Sequence, residues 1–497
     1  MHYECVKSRY PRCGTKIALY KCIDTTILYS LLRRKVMLTE KNAQQGELKR
    51  EITVFGGISV VAGIMIGSGI FYLGSYVLQR ANYHVGVALL AWLIGGVVSL
   101  LGALCFSELG ASRPKAGGLT TYLNEVYHPV VGFMYGFSQW LIASPGSIAA
   151  VAIAIPTALL DFIPGMGGGQ VKVVAIALIV LFTAYNILGV KESSIMSQIT
   201  LVGKILPMAL ILVVALFAGH IMPDLDPTPV TATGEPAGIT GGIGIVAFAV
   251  LSSLWAYEGW SNVTNLGGEI KEPGKTIPKM LIFGVGFVTV FYILFNFALY
   301  RVIPMDEAKA MIEADNVYLG TEVARRVLGN AGSIVVLIGM LVAMLGSLNG
   351  QVLAYARVGY AMSEEGHFFP SQMKLNKKGV PVIALVTQAV IAIILVMARS
   401  LDQLTTLVVF LGAIGSLLGV FGVIVNRVRF PELEKPFKVP GGVVTVLIST
   451  LCFAALLVSN FIDDPMMSIV GIVVVPAIGA VIYIYYDRKI KANKANK

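Results

Sequence analysis

The sequence predicts an all-α, polytopic membrane protein with about twelve transmembrane helices. Hydrophobic residues make up 56% of the 497 positions and charged residues only 13%, whereas a soluble domain carries roughly 25% charged residues. The mean hydropathy of +0.77 agrees with a chain that lies mostly in lipid. Two of the apolar stretches contain glycine-bearing interruptions, which predict that two of the spanning helices are discontinuous.

Apolar windows of roughly 20 residues place the spans. Their approximate ranges are 52–80, 85–110, 129–157, 171–189, 194–219, 242–267, 278–301, 331–362, 381–398, 402–426, 441–460 and 467–486. A longer connection follows the seventh span, and its segment from Met305 to Leu328 predicts one amphipathic external helix.

The loops between the spans alternate in charge, and this alternation predicts the topology. The basic set of loops contains Arg113, Lys115, Lys191, Lys271, Lys275, Lys279, Lys374, Lys377, Lys378, Arg427, Arg429, Lys435 and Lys438. By the positive-inside rule this set, both chain termini and the basic tail 487–497 face the cytoplasm, which we expect for a protein of the cell membrane. The net charge of +10 therefore reflects topology and gives no reason to expect nucleic-acid binding.

Residues 1–50 predict a cytoplasmic tail, because their apolar stretch from Thr25 to Leu32 is too short to span a bilayer. The alternative is that Met37 is the true start of translation. None of the five cysteines has the spacing of a metal site or a disulfide framework, so we expect no metal and no cofactor. The five histidines lie in the tail, at span ends or in loops, and no serine has an evident base, which argues against an intramembrane enzyme.

The first span is interrupted at its middle by Gly67-Ser68-Gly69. Glycine leaves the helical conformation at low cost and lets a ligand approach the backbone closely. Backbone polar groups freed inside a membrane are tolerated where they line a cavity, as they do in secondary transporters. The alternative interpretation is close packing of helices through small residues.

The sixth span carries a second interruption, where Glu258 stands beside Gly259. A carboxylate inside the membrane is costly and is a candidate functional group. The alternative is a structural carboxylate that pairs with a neighbouring helix.

The two interruptions fall at matching positions if spans one to five and six to ten are two repeats, about 51–220 and 240–427. An odd number of helices in each repeat makes the second copy inverted, and paired interruptions of this kind point to a binding site at the membrane midplane. With two further helices at about 440–486, residues 51–486 are expected to form a single transporter domain.

At these residues the chain resembles the L-type amino acid transporter branch of the amino acid–polyamine–organocation superfamily, over about residues 50–486. The matching motifs are Gly67-Ser68-Gly69-Ile70-Phe71, Ser107-Glu108-Leu109-Gly110, Arg113-Pro114-Lys115-Ala116-Gly117-Gly118, Gly203-Lys204-Ile205-Leu206-Pro207, Trp255-Ala256-Tyr257-Glu258-Gly259-Trp260, Gly268-Glu269-Ile270-Lys271-Glu272-Pro273, Tyr292 with Asn296, Arg429-Phe430-Pro431 and Lys435-Pro436-Phe437. The resemblance implies a LeuT-like fold of two inverted five-helix repeats with discontinuous helices 1 and 6. It also implies sodium-independent exchange of amino acids.

The resemblance further implies a substrate site at the two interruptions. The substrate carboxylate would meet backbone N–H groups of Gly67, Ser68 and Gly69 at the positive end of a half-helix. The ammonium would meet carbonyl groups at the ends of the other half-helices. The expected substrate-binding set is Ile64, Gly67, Ser68, Gly69, Trp255, Ala256, Tyr257, Glu258 and Gly259.

Lys204 lies inside an apolar stretch, and by resemblance its ammonium takes the place that sodium occupies in sodium-coupled relatives. The alternative is that its side chain snorkels to the cytoplasmic face. Tyr292 would join this network by hydrogen bonding, or would simply be a packed tyrosine. Tyr257 and Trp260 are expected to gate the substrate path, with plain helix packing as the alternative.

The preferred substrate stays open at this point. Neutral L-amino acids are expected, although Glu258 leaves cationic amino acids or polyamines as alternatives, and proton-coupled symport is the alternative to exchange. Eukaryotic members of the branch carry an external cysteine after the third span that links a heavy-chain subunit. Residues 159–170 contain no cysteine, so we expect no covalent heavy chain.

Overall fold

The computed structural model describes residues 48–67, 69–159, 167–231, 233–314, 318–398, 401–463, 469 and 473–495. The expectations for residues 1–47, including the alternative start at Met37, lie outside the described residues. Within this described part, regular structure consists of 17 α-helices and short 3₁₀ and π segments, and β-structure is confined to isolated bridges. The fold class predicted from the sequence, an all-α membrane protein, is confirmed.

Eight helices lie among the described residues of the first half of the chain. In chain order these are α1 (Val54–Met65), α2 (Gly69–Arg80), α3 (Val85–Ser112), α4 (Leu119–Val126), α5 (Pro129–Ser138), α6 (Ser144–Thr157), α7 (Gly168–Ile187) and α8 (Val190–Ala218). A π-helical turn, Gln139–Ala143, joins α5 to α6, so these three segments form one long apolar span.

Nine helices lie among the described residues of the second half. They are α9 (Ile239–Ala256), α10 (Pro273–Tyr300), α11 (Met305–Glu313), α12 (Leu319–Leu328), α13 (Asn330–Glu364), α14 (Val382–Ala398), α15 (Leu401–Arg429), α16 (Gly442–Asp463) and α17 (Val475–Ala495). A 3₁₀ segment, Trp260–Asn265, follows α9 after a three-residue turn.

The helices agree with the predicted spans. Seven helical stretches in the described residues are each long and apolar enough to cross a membrane: Val85–Ser112, Pro129–Thr157, Gly168–Ile187, Val190–Ala218, Pro273–Tyr300, Asn330–Glu364 and Leu411–Arg429. Four shorter apolar helices coincide with the first, sixth, ninth and eleventh predicted spans: Val54–Met65, Ile239–Leu254, Val382–Ala398 and Gly442–Val458. The predicted last span, 467–486, overlaps α17 and begins among residues outside the described part.

One predicted element is corrected. The single amphipathic helix expected from Met305 to Leu328 is two helices, α11 and α12. The sequence between them contains Asp315 and Asn316, residue types whose side chains compete with the helical hydrogen bonds of the backbone.

The two interruptions lie in the interior of the bundle, where Ile64, Ile66, Ala256 and Tyr257 are buried. Helix α1 packs against α8, α10 and α13, and α9 packs against α2 and α3. The surrounding spans therefore shield both interruptions from lipid, which is the condition for non-helical backbone at membrane depth.

Charged residues tie together the end of the bundle that carries the loops 113–118, 266–272 and 430–441, which we call the basic end. Arg427 donates two hydrogen bonds, of 2.8 and 2.6 Å, to the buried carboxylate of Glu108. The backbone N–H of Val439 donates to the same carboxylate at 2.8 Å. Because Glu108 and Arg427 lie far apart in the chain, these bonds fix α15 and the following loop to α3.

A second cluster at the basic end surrounds Glu125 on the short helix α4. Arg113 and Lys115 both form ion pairs with its carboxylate. Partial burial raises the pKa of Glu125, but the hydrogen bonds and charges of Lys115 and Arg113 outweigh burial and leave the pKa below its usual value. The Arg-Pro-Lys sequence therefore holds α4 in place against the end of α3.

A third contact at the basic end joins the segment before α1 to the segment after the sixth span. The backbone N–H groups of Glu51 and Ile52 donate to the carbonyl of Glu269, and the N–H of Lys271 donates to the carbonyl of Ile52. The Glu269 carboxylate is fully buried and pairs with Arg357 of α13, with a closest N–O distance of 2.8 Å. Three separate parts of the chain thus meet at one buried ion pair.

Candidate functional site

The first interruption begins where α1 ends. The N–H of Ile66 makes the last helical hydrogen bond, to the carbonyl of Ala62, and the N–H of Gly67 turns back to the carbonyl of Met65 at 2.9 Å. Helix α2 restarts at Gly69, and Ser68 lies outside the described residues. The predicted break in the first span is confirmed, and its backbone polar groups need partners other than the helix itself.

The second interruption is the turn Tyr257–Gly259, between the end of α9 and the 3₁₀ segment. Gly259 has φ +102°, in the left-handed region that favours glycine. A Cβ atom at this position would lie 2.5 Å from the side chain of Ile64. Glycine is therefore required here both by the backbone conformation and by the close approach of the two interrupted spans.

Lys204 supplies partners for the end of α1. Its side chain is completely buried, and its Nζ donates to the carbonyl groups of Ala62, Gly63 and Ile66 at 3.3, 2.9 and 2.6 Å. The snorkelling alternative does not fit this geometry, because the ammonium lies at the interruption and not at a membrane face. A lysine in the middle of α8 thus supplies hydrogen-bond donors to three carbonyl groups at the end of α1.

Tyr292 connects the two interruptions. Its hydroxyl group on α10 lies 3.0 Å from the carbonyl oxygen of Met65 and 3.2 Å from that of Ala256. Ser347 of α13 donates to the carbonyl of Ile64 at 3.2 Å. The carbonyls from Ala62 to Ile66 therefore each accept a hydrogen bond from a side chain of α8, α10 or α13.

A cavity of about 180 Å³ lies beside both interruptions. Six predicted site residues line it: Ile64, Gly67, Gly69, Ala256, Glu258 and Gly259. The structure therefore brings together the parts of two spans that are about 190 positions apart in the sequence and leaves space between them.

Other predicted residues lie elsewhere. Tyr257 does not line the cavity; it is fully buried, its hydroxyl donates to the carbonyl of Trp92 at 2.9 Å, and its ring packs against Trp92 and Tyr292. Trp260 is also buried away from the cavity, edge-on to Phe106 at 5.0 Å. The backbone of Trp255 is in the last turn of α9, and its side chain lies outside the described part.

The structure adds cavity residues that the sequence reasoning missed. They include polar side chains from α5, the π-helical turn, α6, α13, α15 and the 3₁₀ segment: Tyr135, Gln139, Ser147, Ser261, Asn262, Ser347, Gln351, Tyr355 and Ser416. A sequence signal was present for part of this set, because Ser347 and Gln351 stand one turn apart within a mainly apolar span.

Glu258 is the one charged side chain among the described residues that line the cavity. It lies beside Gly412 of α15, where a Cβ atom would come within 3.6 Å of its carboxylate oxygen. The nearest other polar groups of the wall include Tyr135 and Tyr355. The cavity therefore has walls of mixed apolar and uncharged polar residues with a single acidic group.

Comparison with known proteins identifies the family. A family description named amino acid permease matches residues 52–484. The chain belongs to the amino acid permease family. The match covers nearly all of the described helices, and membership implies the LeuT-like fold that we expected from the resemblance.

Individual relatives place this amino acid permease within its superfamily. It is 32% identical to the serine/threonine exchanger SteT of Bacillus subtilis over 410 residues, which cover 81% of this chain and 88% of the relative. It is 30% identical to the human b(0,+)-type amino acid transporter 1 over 443 residues, covering 87% and 88% of the two chains. The human cystine/glutamate transporter is 29% identical over 458 residues, covering 89% and 87%.

These relatives confirm the resemblance to the L-type branch of the amino acid–polyamine–organocation superfamily. The permease is a multi-pass membrane protein, and its family is one of transporters, not of enzymes.

Proposed function

We propose that this permease exchanges neutral L-amino acids across the cell membrane by alternating access and without sodium. The observation that carries the proposal is the pair of interrupted spans beside one cavity. Non-helical backbone at this depth leaves polar main-chain atoms that a zwitterion can bind.

The cavity offers one binding position for each of the two charges of the amino acid head group. Gly69 begins α2 and lines the cavity, so the free N–H groups at the positive end of this 12-residue helix can receive the carboxylate. Ile64, Ala256 and Glu258 also line the cavity, and their backbone carbonyl groups can receive the ammonium. Each contact with a charged group contributes about 1.5–3 kcal/mol, so several can offset the desolvation of the head group.

Independence from sodium rests on Lys204. Its ammonium already neutralises the partial negative charge of the α1 carbonyls, so a bound cation is not needed to hold the interruption. Exchange, as opposed to net uptake, is supported by the relative described as a serine/threonine exchanger.

A counterflow experiment tests this function. Purified permease is reconstituted into liposomes loaded with a mixture of amino acids, and uptake of labelled external amino acid is measured in sodium and in choline buffers. We expect uptake that depends on internal amino acid and is equal in both buffers. Uptake into empty liposomes driven by a pH gradient would favour proton symport, and a requirement for sodium would contradict the proposed role of Lys204.

A second candidate function is transport of cationic amino acids or polyamines, and Glu258 is the observation that favours it. A single carboxylate in the cavity wall can pair with a cationic side chain. We expect arginine or lysine to compete with neutral substrates in the wild type and to lose this competition in Glu258→Gln, while neutral substrates still exchange. Equal competition in both proteins would exclude this function for Glu258.

The remaining expectations complete the proposal. Residues 51–486 act as one transporter domain with repeats at about 51–220 and 240–427. The tails 1–50 and 487–497 lie in the cytoplasm. A cysteine introduced at position 492 should react with an impermeant thiol reagent only after cells are opened, and one at position 224 should react in intact cells. No covalent heavy chain is needed, and a single purified chain should exchange substrate.

A further inference from the structure

The side chain of Gln351 is one of the polar groups of the cavity wall that the proposed head-group contacts leave unused. It lies on α13, is 5% exposed and lines the cavity. Its buried carbonyl oxygen, Oε1, accepts no hydrogen bond from any described residue. An unpaired buried acceptor is costly, and its presence in a binding cavity indicates a ligand that donates to it.

The neighbouring hydrogen bonds fix which end of the amide is free. The Ser347 hydroxyl donates its one proton to the carbonyl of Ile64, so towards Gln351 it can only accept. The amide nitrogen Nε2 of Gln351 lies 3.5 Å from that hydroxyl oxygen and supplies the donor. The carbonyl end of the amide therefore faces away from Ser347 and remains without a donor.

Gln351 stands one helical turn from Ser347 on the side of Tyr355, and the proposed head-group contacts do not use it. The two interruptions supply backbone groups for both charges of an amino acid. Asn262 donates to the hydroxyl of Tyr355 at 3.0 Å, so the cavity lining next to Gln351 is already organised by hydrogen bonds. The part of the amino acid that is left to donate to Gln351 is therefore its side chain.

We propose that Gln351 determines specificity by accepting a hydrogen bond from the substrate side chain, so that the permease prefers side chains bearing a hydroxyl or amide donor over apolar side chains of the same shape. This inference rests on the proposed function. A bound side chain without a donor excludes water from Oε1 and leaves it unpaired, whereas a hydroxyl satisfies it. Sites built to bond a hydroxyl reject the analogue that lacks it for this reason.

Threonine and valine give the sharpest comparison, because they differ by a hydroxyl in place of a methyl group. Half-maximal inhibitory concentrations of both are measured in counterflow of labelled substrate. An unpaired buried acceptor predicts that wild-type permease favours threonine over valine by about tenfold or more. In Gln351→Met, which keeps the length and removes the acceptor, the ratio should fall close to one. The matched control is Gln388→Met, which removes a buried glutamine of α14 that does not line the cavity and should leave the ratio unchanged.

The ratio of two substrates in one preparation does not depend on the amount of active protein. If Gln351→Met gives too little flux, the same ratio is measured from thermal stabilisation of the purified protein by threonine and by valine. Equal affinities in the wild type, or an unchanged ratio in Gln351→Met, would overturn the inference while exchange itself stands. An equal loss of both substrates in the variant would also overturn it, because Oε1 would then serve the shared ammonium. Absence of exchange with every amino acid would instead refute the proposed function.

Discussion

Replacing Lys204 by methionine tests the arrangement of the first interruption. Methionine is similar in length and apolar, so it fills the space in α8 but donates no hydrogen bond. Of the three carbonyls that now accept from the ammonium, that of Ala62 keeps the N–H of Ile66. The carbonyls of Gly63 and Ile66 lose the donor that the structure provides.

The magnitude follows from these two groups. A buried acceptor left without a partner costs about 1–3 kcal/mol. The two acceptors together therefore raise the free energy of the ordered interruption by about 2–6 kcal/mol relative to a rearranged backbone. Even the lower value reduces the binding-competent fraction by about 30-fold, and the apparent affinity falls in proportion. The global stability should change less, because the variant also avoids the cost of burying an ammonium.

The assay is counterflow of labelled amino acid at varied concentration, with the melting temperature of the purified protein measured in parallel. We expect the half-saturation concentration of Lys204→Met to rise about 30-fold or more while the protein stays folded. Lys172→Met is the matched control, because its ammonium makes one exposed hydrogen bond, to the carbonyl of Met397, away from the interruptions. A half-saturation concentration like that of the wild type in Lys204→Met would refute the reasoning.

Three further predictions concern single groups. Tyr292→Phe removes the hydroxyl between the two interruptions and should slow exchange about tenfold. The control Tyr300→Phe loses one hydrogen bond to α2, of 3.3 Å, and should not slow exchange. Equal slowing in both variants would count against a special role of Tyr292. Arg357→Met leaves the Glu269 carboxylate buried and unpaired and should destabilise the protein by about 3–5 kcal/mol; the double replacement by methionine should recover much of this loss in a thermal unfolding assay. The lowered pKa of Glu125 means that its ion pairs stabilise the fold above its ordinary value of 4.5 and that this stabilisation is lost as the pH falls through the lowered pKa. Glu125→Gln should therefore have a lower melting temperature than wild type at pH 7, and a difference that persists well below pH 4 would contradict this.

The sequence could predict the helices and their interruptions because both depend on local properties. Span positions follow from hydropathy alone, and glycine beside a polar residue marks where a helix can open. Lys204 could be recognised because a lysine inside an apolar stretch needs a partner. Its three acceptors could not be identified without coordinates, since α1 and α8 are separated by more than 100 residues.

The wall of the cavity was harder to predict for a physical reason. Membrane helices turn one face to lipid and another to the interior, and apolar residues occupy both faces. Tyr257 is an aromatic residue of the kind expected to gate a substrate path. Its position in the turn directs its side chain towards Trp92, whose backbone carbonyl accepts a hydrogen bond from its hydroxyl group. Its gating role, and that of Trp260, stays a prediction that requires both rings to leave their present packing. Gln351 and Tyr355 belong to a helix without an interruption, and only the fold places them in the same cavity as Glu258.

The hydroxyl of Tyr292 has a single proton but stands within reach of two carbonyls on two different half-helices. It cannot bond both at full strength at the same time, so any tightening towards one loosens the other. The two half-helices consequently cannot settle independently of each other. A displacement of either half-helix therefore changes the hydrogen bond that Tyr292 makes to the other half-helix, even when no substrate is bound.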